Sequence, residues 1–250
     1  MISLQQLTNS VETYSITAII DTALCVGAGG SSGSLADKPI VRNAEGNLLI
    51  PASQIKGRLR HECEKIARGL NWAVCESPNP ETMCPQRVGL TENFWIDEYK
   101  FSDKINGKDI YHCLICQIFG NPSLPSRIIF NDLICEENPE YLPEILRPGV
   151  TINRRRGVAE ENKLYFLETS PVNAHLKFTG EILIQPNINP KYVDYAKALI
   201  WAGFKQINAL GGSKSVGLGW LTWELPEISV DEKVWELLAK AEVVNGSDES

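Results

Sequence analysis

A glycine-rich stretch near the C-terminus combines four glycines with a single lysine, residue types suited to binding phosphate. It runs Leu210-Gly-Gly-Ser-Lys-Ser-Val-Gly-Leu-Gly-Trp220, and glycine lets backbone N–H groups approach a phosphate closely. A nucleotide-binding P-loop requires glycine directly before the lysine and again five residues earlier, but Ser213 and Asn208 occupy those positions. The spacing therefore excludes an ATP site. It favours a loop that lies against an extended phosphodiester backbone, with a simple tight turn as the alternative.

Four cysteines are candidate metal ligands, and the second two form a Cys-x-x-Cys pair. The four are Cys75, Cys84, Cys113 and Cys116. Zinc bound by four thiolates would fix a segment that has poor periodicity and several prolines, and it would contribute folding energy directly. The first pair is spaced more widely than in common zinc motifs, so His112 or His61 is an alternative to one of the cysteines. Reduced, partly buried thiols without a metal are the other interpretation.

Asp37 is the candidate catalytic carboxylate. It follows the glycine-rich stretch Gly27-Ala-Gly-Gly-Ser-Ser-Gly33 and directly precedes Lys38. A carboxylate in such a loop can bind a divalent ion, or it can position a ribose 2′-OH for attack on the adjacent phosphate. From residue chemistry alone, the alternative is a solvated surface aspartate beside a lysine.

The acidic composition counts against nucleic-acid binding, because lysine and arginine supply most of the affinity for phosphate. The net charge of the chain is −7, but residues 226–250 hold seven acidic and two basic residues, a net charge of −5, which leaves −2 for the remainder. The clustered cations are Lys56, Arg58, Arg60, Arg154, Arg155 and Arg156. This distribution is compatible with a basic groove on an acidic body, with solvated charged surface as the alternative.

Length and composition predict one domain in a reducing compartment. The chain has 250 residues, 43% of them hydrophobic, which suffices for a single core. No apolar run approaches a membrane span and the N-terminus lacks signal-peptide features, so we expect a cytoplasmic protein without membrane contact. Seven cysteines, an odd number, favour thiols and metal ligands over disulfides. Cys25, Cys63 and Cys135 are predicted to be core thiols.

Strands and helices alternate along the chain in an order that must position these residues. The predicted strands are 11–20, 127–134, 164–167, 175–184 and 218–224, with a short hairpin over 38–50, and the predicted helices are 53–66, 192–207 and 234–244. Ser53 is expected to cap the first helix, which places Lys56 and Arg60 on the face next to the apolar one, the more exposed of the two. The order is compatible with an α+β sandwich of the ferredoxin-like, RNA-recognition type.

Insertions interrupt this predicted core. Residues 69–112 form a long insertion in which the zinc site would lie, and the arginine-rich residues 148–162 are expected to project from the body. Residues 245–250 are expected to be disordered. The whole predicted layout is a single domain, with its core in residues 11–68, 113–135 and 163–224, an insertion over 69–112, a hairpin over 147–170, and an acidic helix and tail over 226–250.

Taken in order, these motifs resemble the RAMP superfamily of CRISPR systems, and most closely the backbone subunit of type III RNA-guided effector complexes. That family has a glycine-rich loop, an Asp before Pro-Val-Ile-Arg, Ile-Pro-Gly-Ser-Ser-Leu-Lys-Gly-Arg-Leu-Arg, Cys-x-x-Cys-x-x-Phe-Gly, an arginine-containing hairpin and a terminal Gly-Gly-x-x-Ser-x-Gly-x-Gly. The corresponding stretches here are 27–33, 37–42, 50–60, 113–120, 154–156 and 211–219. The resemblance spans residues 11–224.

The resemblance implies a fold, RNA partners and residue roles. It implies a ferredoxin-like core with a zinc-bound insertion and a thumb-like β-hairpin. Residues 154–156 with Val158 would separate bases of the guide–target duplex, while residues 56–60 would contact guide-RNA phosphates. In the C-terminal glycine-rich stretch, the expected RNA-binding residues are Gly211, Gly212, Lys214, Ser215, Gly217 and Gly219. The implied partners are guide RNA, single-stranded target RNA and other effector subunits, with several copies or related subunits along one guide.

The resemblance also implies a catalytic role for Asp37. Active family members cleave target RNA by transesterification, with Mg²⁺ or another divalent ion, and leave a 2′,3′-cyclic phosphate and a 5′-hydroxyl. Lys38 stands where the family often has Asn, so a non-catalytic guide-RNA scaffold is the first alternative. A guide-maturing endoribonuclease ranks last, because such enzymes use histidine and none of His61, His112 and His175 lies in a glycine-rich segment.

Overall fold

The computed structural model of the chain describes residues 11–27, 36–79, 81–84, 101–105, 108–110, 112–172, 174–185 and 193–239. The strands are β1 Glu12–Ile20, β2 Leu49–Ile50, β3 Phe101–Ile105, β4 Lys108–Ile110, β5 Ile128–Phe130, β6 Leu133–Cys135, β7 Ile145–Asn153, β8 Val158–Thr169, β9 Leu176–Ile184 and β10 Leu221–Glu224. The helices are α1 Ala52–Gly69, α2 Leu114–Phe119, α3 Val193–Lys205 and α4 Glu232–Ala239. The mixed α+β class predicted from the sequence is confirmed.

The main sheet is antiparallel and has β1 and β9 at its centre. Its order is β10-β1-β9-β6-β2, and β5 also pairs with β9. Along β1 the alternation predicted from the sequence is confirmed, because Ile16, Ala18 and Ile20 are buried whereas Thr13 and Ser15 are exposed. One face of the sheet therefore faces the core, and the other carries small polar residues.

Helices α1 and α3 pack against each other within this core. Ile55, Leu59 and Cys63 on α1 are fully buried, as their helical spacing predicts. On α3, a Cβ at Gly203 would lie 2.7 Å from the Cys63 sulphur and 2.9 Å from a methyl carbon of Leu59. Glycine at this position therefore allows the two helices to approach closely.

The predicted Ser53 cap of α1 is wrong. The helix begins at Ala52 after Pro51, and the Asp132 carboxylate accepts a hydrogen bond from the Ala52 N–H at 2.7 Å. Asp132 lies between β5 and β6, where the strand predicted over 127–134 is interrupted. A carboxylate distant in sequence therefore caps the helix, and the first-turn serine stays exposed.

The arginine-rich segment forms a long two-stranded hairpin, in which β7 and β8 are antiparallel. The strand predicted over 164–167 is the second half of β8, which begins at Val158. A Cβ on Gly149 would lie 2.3 Å from the Tyr165 ring, so the ring packs directly over the glycine. Residues 148–162, which were expected to project from the body, belong to this hairpin, which is a separate two-stranded sheet and is largely exposed.

Several predicted features lie partly or wholly outside the described residues. These are the first glycine-rich stretch beyond Gly27, much of the 69–112 insertion, the end of the last helix and the predicted disordered tail. Within the insertion, β3 and β4 pair as a second two-stranded ribbon. Among the described helices, none has the length and apolar character needed to cross a membrane.

Candidate metal centre and nucleic-acid interface

The four cysteines proposed as metal ligands lie together in the folded chain. Their sulphur atoms are all within 4.8 Å of one another and all four side chains are buried. The sulphurs of Cys75 and Cys116 are 3.4 Å apart, and none of the four forms a disulfide. Tetrahedral zinc, with Zn–S bonds of about 2.3 Å, requires sulphurs roughly 3.8 Å apart. The cluster can therefore hold a metal such as zinc.

The two histidines considered as alternative ligands do not belong to this group of four sulphurs. His61 is exposed on α1. His112 is buried, and its Nδ1 lies 2.8 Å from the side-chain nitrogen of Asn121. Burial lowers the pKa of His112, which favours the neutral ring.

The remaining three cysteines are core thiols, as predicted. Cys25, Cys63 and Cys135 are all buried. Burial raises the pKa of each above its ordinary value. These thiols therefore stay protonated, whereas metal ligation requires thiolates.

The basic residues of α1 have unequal environments. Arg58 pairs with Glu62 at 2.7 Å and Arg60 pairs with Glu64 at 3.0 Å, each one helical turn on. Lys56 is half-buried, and burial together with the charge of Arg60 lowers the pKa of Lys56. Two of the three cations predicted to contact RNA therefore already have carboxylate partners within the chain.

Gly57 lies between these cations and has no packing role among the described residues. It is exposed within α1, and a Cβ there would meet nothing within 4 Å. Glycine inside a helix is about 0.5–1 kcal/mol less stable than alanine. The helix carries this cost without a packing gain from the described residues.

The C-terminal glycine-rich stretch is fixed against the segment that leads into the first one. The Gly212 N–H donates to the Cys25 carbonyl at 2.7 Å, and the Gly219 N–H donates to the Ala23 carbonyl at 2.9 Å. At Gly211, φ is +87° and a Cβ would lie 2.5 Å from the Cys25 carbonyl oxygen, so only glycine fits. The loop between them, residues 213–216, is exposed.

Asp37 joins its loop to the long hairpin. The Asp37 N–H donates to the Phe166 carbonyl at 3.0 Å, and Oδ2 of the Asp37 carboxylate accepts from the Phe166 N–H at 2.7 Å. Farther along, buried Glu168 accepts from the Ile40 N–H at 3.1 Å and pairs with Arg42 at 3.5 Å. The segment containing Asp37 is therefore attached to β8, although the aspartate itself remains exposed.

These attachments meet around residues 21–27. Leu24 and the end of β8 exchange two hydrogen bonds, since the Leu24 N–H donates to the Ser170 hydroxyl at 2.8 Å and the Ser170 N–H donates to the Leu24 carbonyl at 2.9 Å. The positive charges of Lys38 and Arg147 partly oppose the effect of burial on the pKa of Cys25. In the segment that follows Asp37, the Val41 N–H donates to the Val26 carbonyl at 2.9 Å. The Asp37 segment, the base of the hairpin and the C-terminal glycine loop therefore share one supporting segment.

The hairpin tip presents arginines beside apolar side chains. The Asn153 side-chain oxygen accepts from the N–H groups of Arg155 and Arg156 at 3.1 and 3.0 Å, and residues 154–156 are exposed. The apolar residues of the hairpin that are more than two-fifths exposed are Val150, Ile152, Val158, Leu164 and Tyr165. The tip combines cationic and apolar surface.

Some residues that contact the candidate sites were not identified from the sequence. Glu64 and Arg68 extend the row begun by Arg60, and their spacing of four residues on one helix was the available signal. Phe166 and Arg147 have no such signal, because their involvement depends on strand pairing. No hydrogen bond or ion pair among the described residues joins the α1 cations to the C-terminal glycine loop.

The sheet and helices define an α+β protein. Its glycine-rich loop and arginine-tipped hairpin are suited to binding nucleic acid. A family model described as the RAMP superfamily matches residues 17–222. The chain therefore belongs to the RAMP superfamily, which indicates a CRISPR-associated RNA-binding module. A search of curated proteins found no match.

Proposed function

We propose that this protein is a backbone subunit of a type III CRISPR effector, which binds guide RNA and cleaves the paired target RNA at Asp37. The observation that carries the proposal is the convergence of three features on residues 21–27. These are the C-terminal glycine loop, the Asp37 segment and the base of the arginine-tipped hairpin. Backbone N–H groups and cations recognise phosphate without reading sequence, so base pairing with the guide would supply specificity.

Gly57 supports an RNA contact on α1. Its exposed position in a helix costs stability without internal packing, so close approach of an external group is the physical reason to have glycine there. Within the part of the chain that the structure describes, the neighbouring Lys56 has no carboxylate pairing of the kind that engages Arg58 and Arg60. We therefore assign the guide-phosphate contact on α1 to Lys56 and Gly57.

The proposed cleavage uses the second oxygen of Asp37. Oδ2 accepts from the Phe166 N–H, and Oδ1 accepts no hydrogen bond from the described part of the chain. The 2′-OH of the target would attack the adjacent phosphate, breaking the bond to the 5′-oxygen of the next nucleotide. The products would be a 2′,3′-cyclic phosphate and a 5′-hydroxyl, and Oδ1 would orient or accept the 2′-OH proton.

A divalent ion at Asp37 would need ligands from RNA. The described residues contain one cluster of three or more candidate ligands, the four cysteines, so Asp37 does not belong to a preformed carboxylate site. Mg²⁺ commonly binds through one or two carboxylates together with substrate phosphates. If Mg²⁺ participates, it would supply charge neutralisation at the phosphate, with Asp37 as its protein ligand.

A non-catalytic scaffold is the second candidate, and one observation favours it. The Asp37 carboxylate already forms a short bond to the hairpin backbone, which is a structural role in itself. In this case the same RNA contacts are retained and target RNA stays intact.

Two substitutions at Asp37 separate these functions. Asp37→Asn keeps an oxygen that can accept from Phe166 but removes the negative charge, whereas Asp37→Ala removes both. If Asp37 is catalytic, both variants assemble on guide RNA and neither cleaves matched target, measured by gel analysis of labelled RNA in the assembled complex. Wild-type cleavage by Asp37→Asn would refute catalysis. Failure of only Asp37→Ala to assemble would identify the bond to the hairpin as the residue's role.

Guide maturation remains the third candidate. His175 lies 3.3 Å from Asp21, whose N–H donates to the Trp220 carbonyl at the end of the glycine loop. This exposed pair brings one histidine near a glycine-rich segment. Processing of repeat RNA that is lost in His175→Ala would favour this function over the first two.

The strand order supports a ferredoxin-like core. Along the chain the order of these elements is β1, α1, then β5 and β6, then β9, α3 and β10. In the sheet β10 and β9 flank β1, and β5 and β6 lie beyond β9. A split βαβ repeat has this arrangement. We therefore propose that the core is ferredoxin-like and that zinc occupies the cysteine cluster.

A further inference from the structure

Arg60 does not extend into solvent as a free phosphate ligand would. Its guanidinium makes three contacts inside the chain, with Nε on Glu64 at 3.0 Å, Nη1 on the Gly120 carbonyl at 2.9 Å and Nη2 on the Cys116 sulphur at 3.9 Å. Only 21% of the Arg60 side chain is exposed. The geometry points Arg60 toward the cysteine cluster.

Two further residues of α1 continue this arrangement. Buried Glu64 also contacts Arg68 at 3.4 Å, and Arg68 Nη2 donates to the Cys75 carbonyl at 3.5 Å. We call Arg60, Glu64 and Arg68 the arginine clamp. One end of the clamp reaches the sulphur of Cys116, and the other reaches the backbone of Cys75, so it spans two of the four candidate ligands.

We propose that the arginine clamp retains the metal ion of the cysteine cluster, and that Arg60 acts on this centre rather than on RNA. The proposal rests on the metal centre proposed above. Four thiolates around a divalent ion leave excess negative charge, and a half-buried guanidinium beside one sulphur offsets it. Hydrogen bonds to metal ligands from outside the ligand set also fix their orientation.

The charge balance of the clamp is consistent with this role. Two arginines and one glutamate supply a net positive charge beside the thiolates, and Glu64 holds both arginines in place. By contrast, Arg58 forms an equivalent bond to Glu62, one turn on. Among the described residues, no hydrogen bond or ion pair joins Arg58 to the cysteine cluster. The two arginines therefore differ in their relation to the metal site while sharing helix, charge and type of ion pair.

Arg58→Ala is the matched control for Arg60→Ala. Zinc would be measured in the purified full-length protein, and its release to a chromogenic chelator would be followed over time. We expect Arg60→Ala to weaken zinc retention about 10- to 100-fold, while Arg58→Ala stays close to wild type. Arg60→Lys keeps the charge but loses the forked geometry, so an intermediate release rate is expected.

Cobalt substitution gives a second readout that is independent of overall stability. Co²⁺ bound by thiolates absorbs by sulphur-to-metal charge transfer, and this band should shift in Arg60→Ala and Arg60→Lys but not in Arg58→Ala. The band is observable even where one variant is less stable.

Three results would overturn the proposal. Equal zinc release and unchanged cobalt spectra in Arg60→Ala and Arg58→Ala would show that Arg60 has no special relation to the metal. Normal zinc retention in Arg60→Ala, with weaker guide-RNA binding and a shallower salt dependence, would return Arg60 to the RNA interface. Wild-type protein that binds neither zinc nor cobalt would remove the metal centre itself, but it would leave the RNA-binding proposal untouched.

Discussion

Gly219→Ala should destabilise the protein severely, because this glycine closes the C-terminal loop against two carbonyls. A Cβ at this position would lie 1.9 Å from the Leu210 carbonyl oxygen. That oxygen belongs to the backbone, so the loop must open to relieve the overlap. Opening threatens the bond from the Leu210 N–H to the Gly219 carbonyl and the bond from the Gly219 N–H to the Ala23 carbonyl, both 2.9 Å.

The magnitude follows from these separate contributions. The positive φ of +72° costs a residue with a side chain about 1–2 kcal/mol. Each lost hydrogen bond contributes a further 0.5–1.5 kcal/mol or so. Together they reduce the free energy of unfolding by about 2–5 kcal/mol, which is a large fraction of the stability of a domain, roughly 5–15 kcal/mol.

Gly217→Ala is the matched control. Its φ of +88° is equally unfavourable for alanine, but a Cβ there would meet nothing within 4 Å. We therefore expect only the conformational cost, about 1–2 kcal/mol. Urea unfolding followed by circular dichroism would measure both variants. Equal destabilisation by the two substitutions would show that closure of the loop against Leu210 and Ala23 contributes nothing to the free energy of unfolding.

Three further predictions test other parts of the molecule. Gly57→Ala should raise the free energy of unfolding by about 0.5–1 kcal/mol and weaken guide-RNA binding in a filter assay. Unchanged RNA affinity would show that RNA does not approach α1 closely at this position. Cys113→Ser should lower bound zinc below the roughly one ion per chain expected for wild type, as measured by elemental analysis, and should increase proteolysis of residues 69–112; wild-type zinc content in the variant would contradict the ligand assignment. The pKa of Glu12 is lowered, because burial acts to raise it but is outweighed by hydrogen bonds from Lys197 and Tyr14. The stability that ionised Glu12 contributes is present above the ordinary carboxyl pKa and is lost as pH falls through the lowered pKa. The urea midpoints of wild type and Glu12→Gln should therefore differ at pH 7 and converge in acid, and a constant difference at all pH values would refute the role of Glu12 ionisation.

Local patterns predicted the elements that depend on neighbouring residues. Alternation along 11–20 predicted β1, and helical spacing of Ile55, Leu59 and Cys63 predicted the buried face of α1. The Asn43 turn also follows from local chemistry, because its side-chain oxygen accepts from the N–H groups of Glu45 and Asn47. These features were accessible because their physical causes lie within a few residues.

Long-range packing decided what local patterns could not. Asp132, rather than the nearby Ser53, caps α1 because strand pairing brings it to the helix end. The spacing of the four cysteines identified them as candidate metal ligands. Only the folded chain shows that His61 and His112 are not members of the ligand cluster, which consists of four cysteine sulphurs.

The cations illustrate the same division between sequence and tertiary structure. Composition and motif spacing singled out Lys56, Arg58 and Arg60 as one basic group, because side chains close together in sequence on a helix look equivalent. In the folded chain the Arg60 guanidinium contacts Cys116 and Gly120. Both residues lie more than fifty positions from Arg60 in the sequence. The sequence by itself identified a RAMP protein and its charged and glycine-rich segments. The tertiary contacts decided which charge faces the cysteine cluster, since the direction of a side chain depends on what packs against its helix.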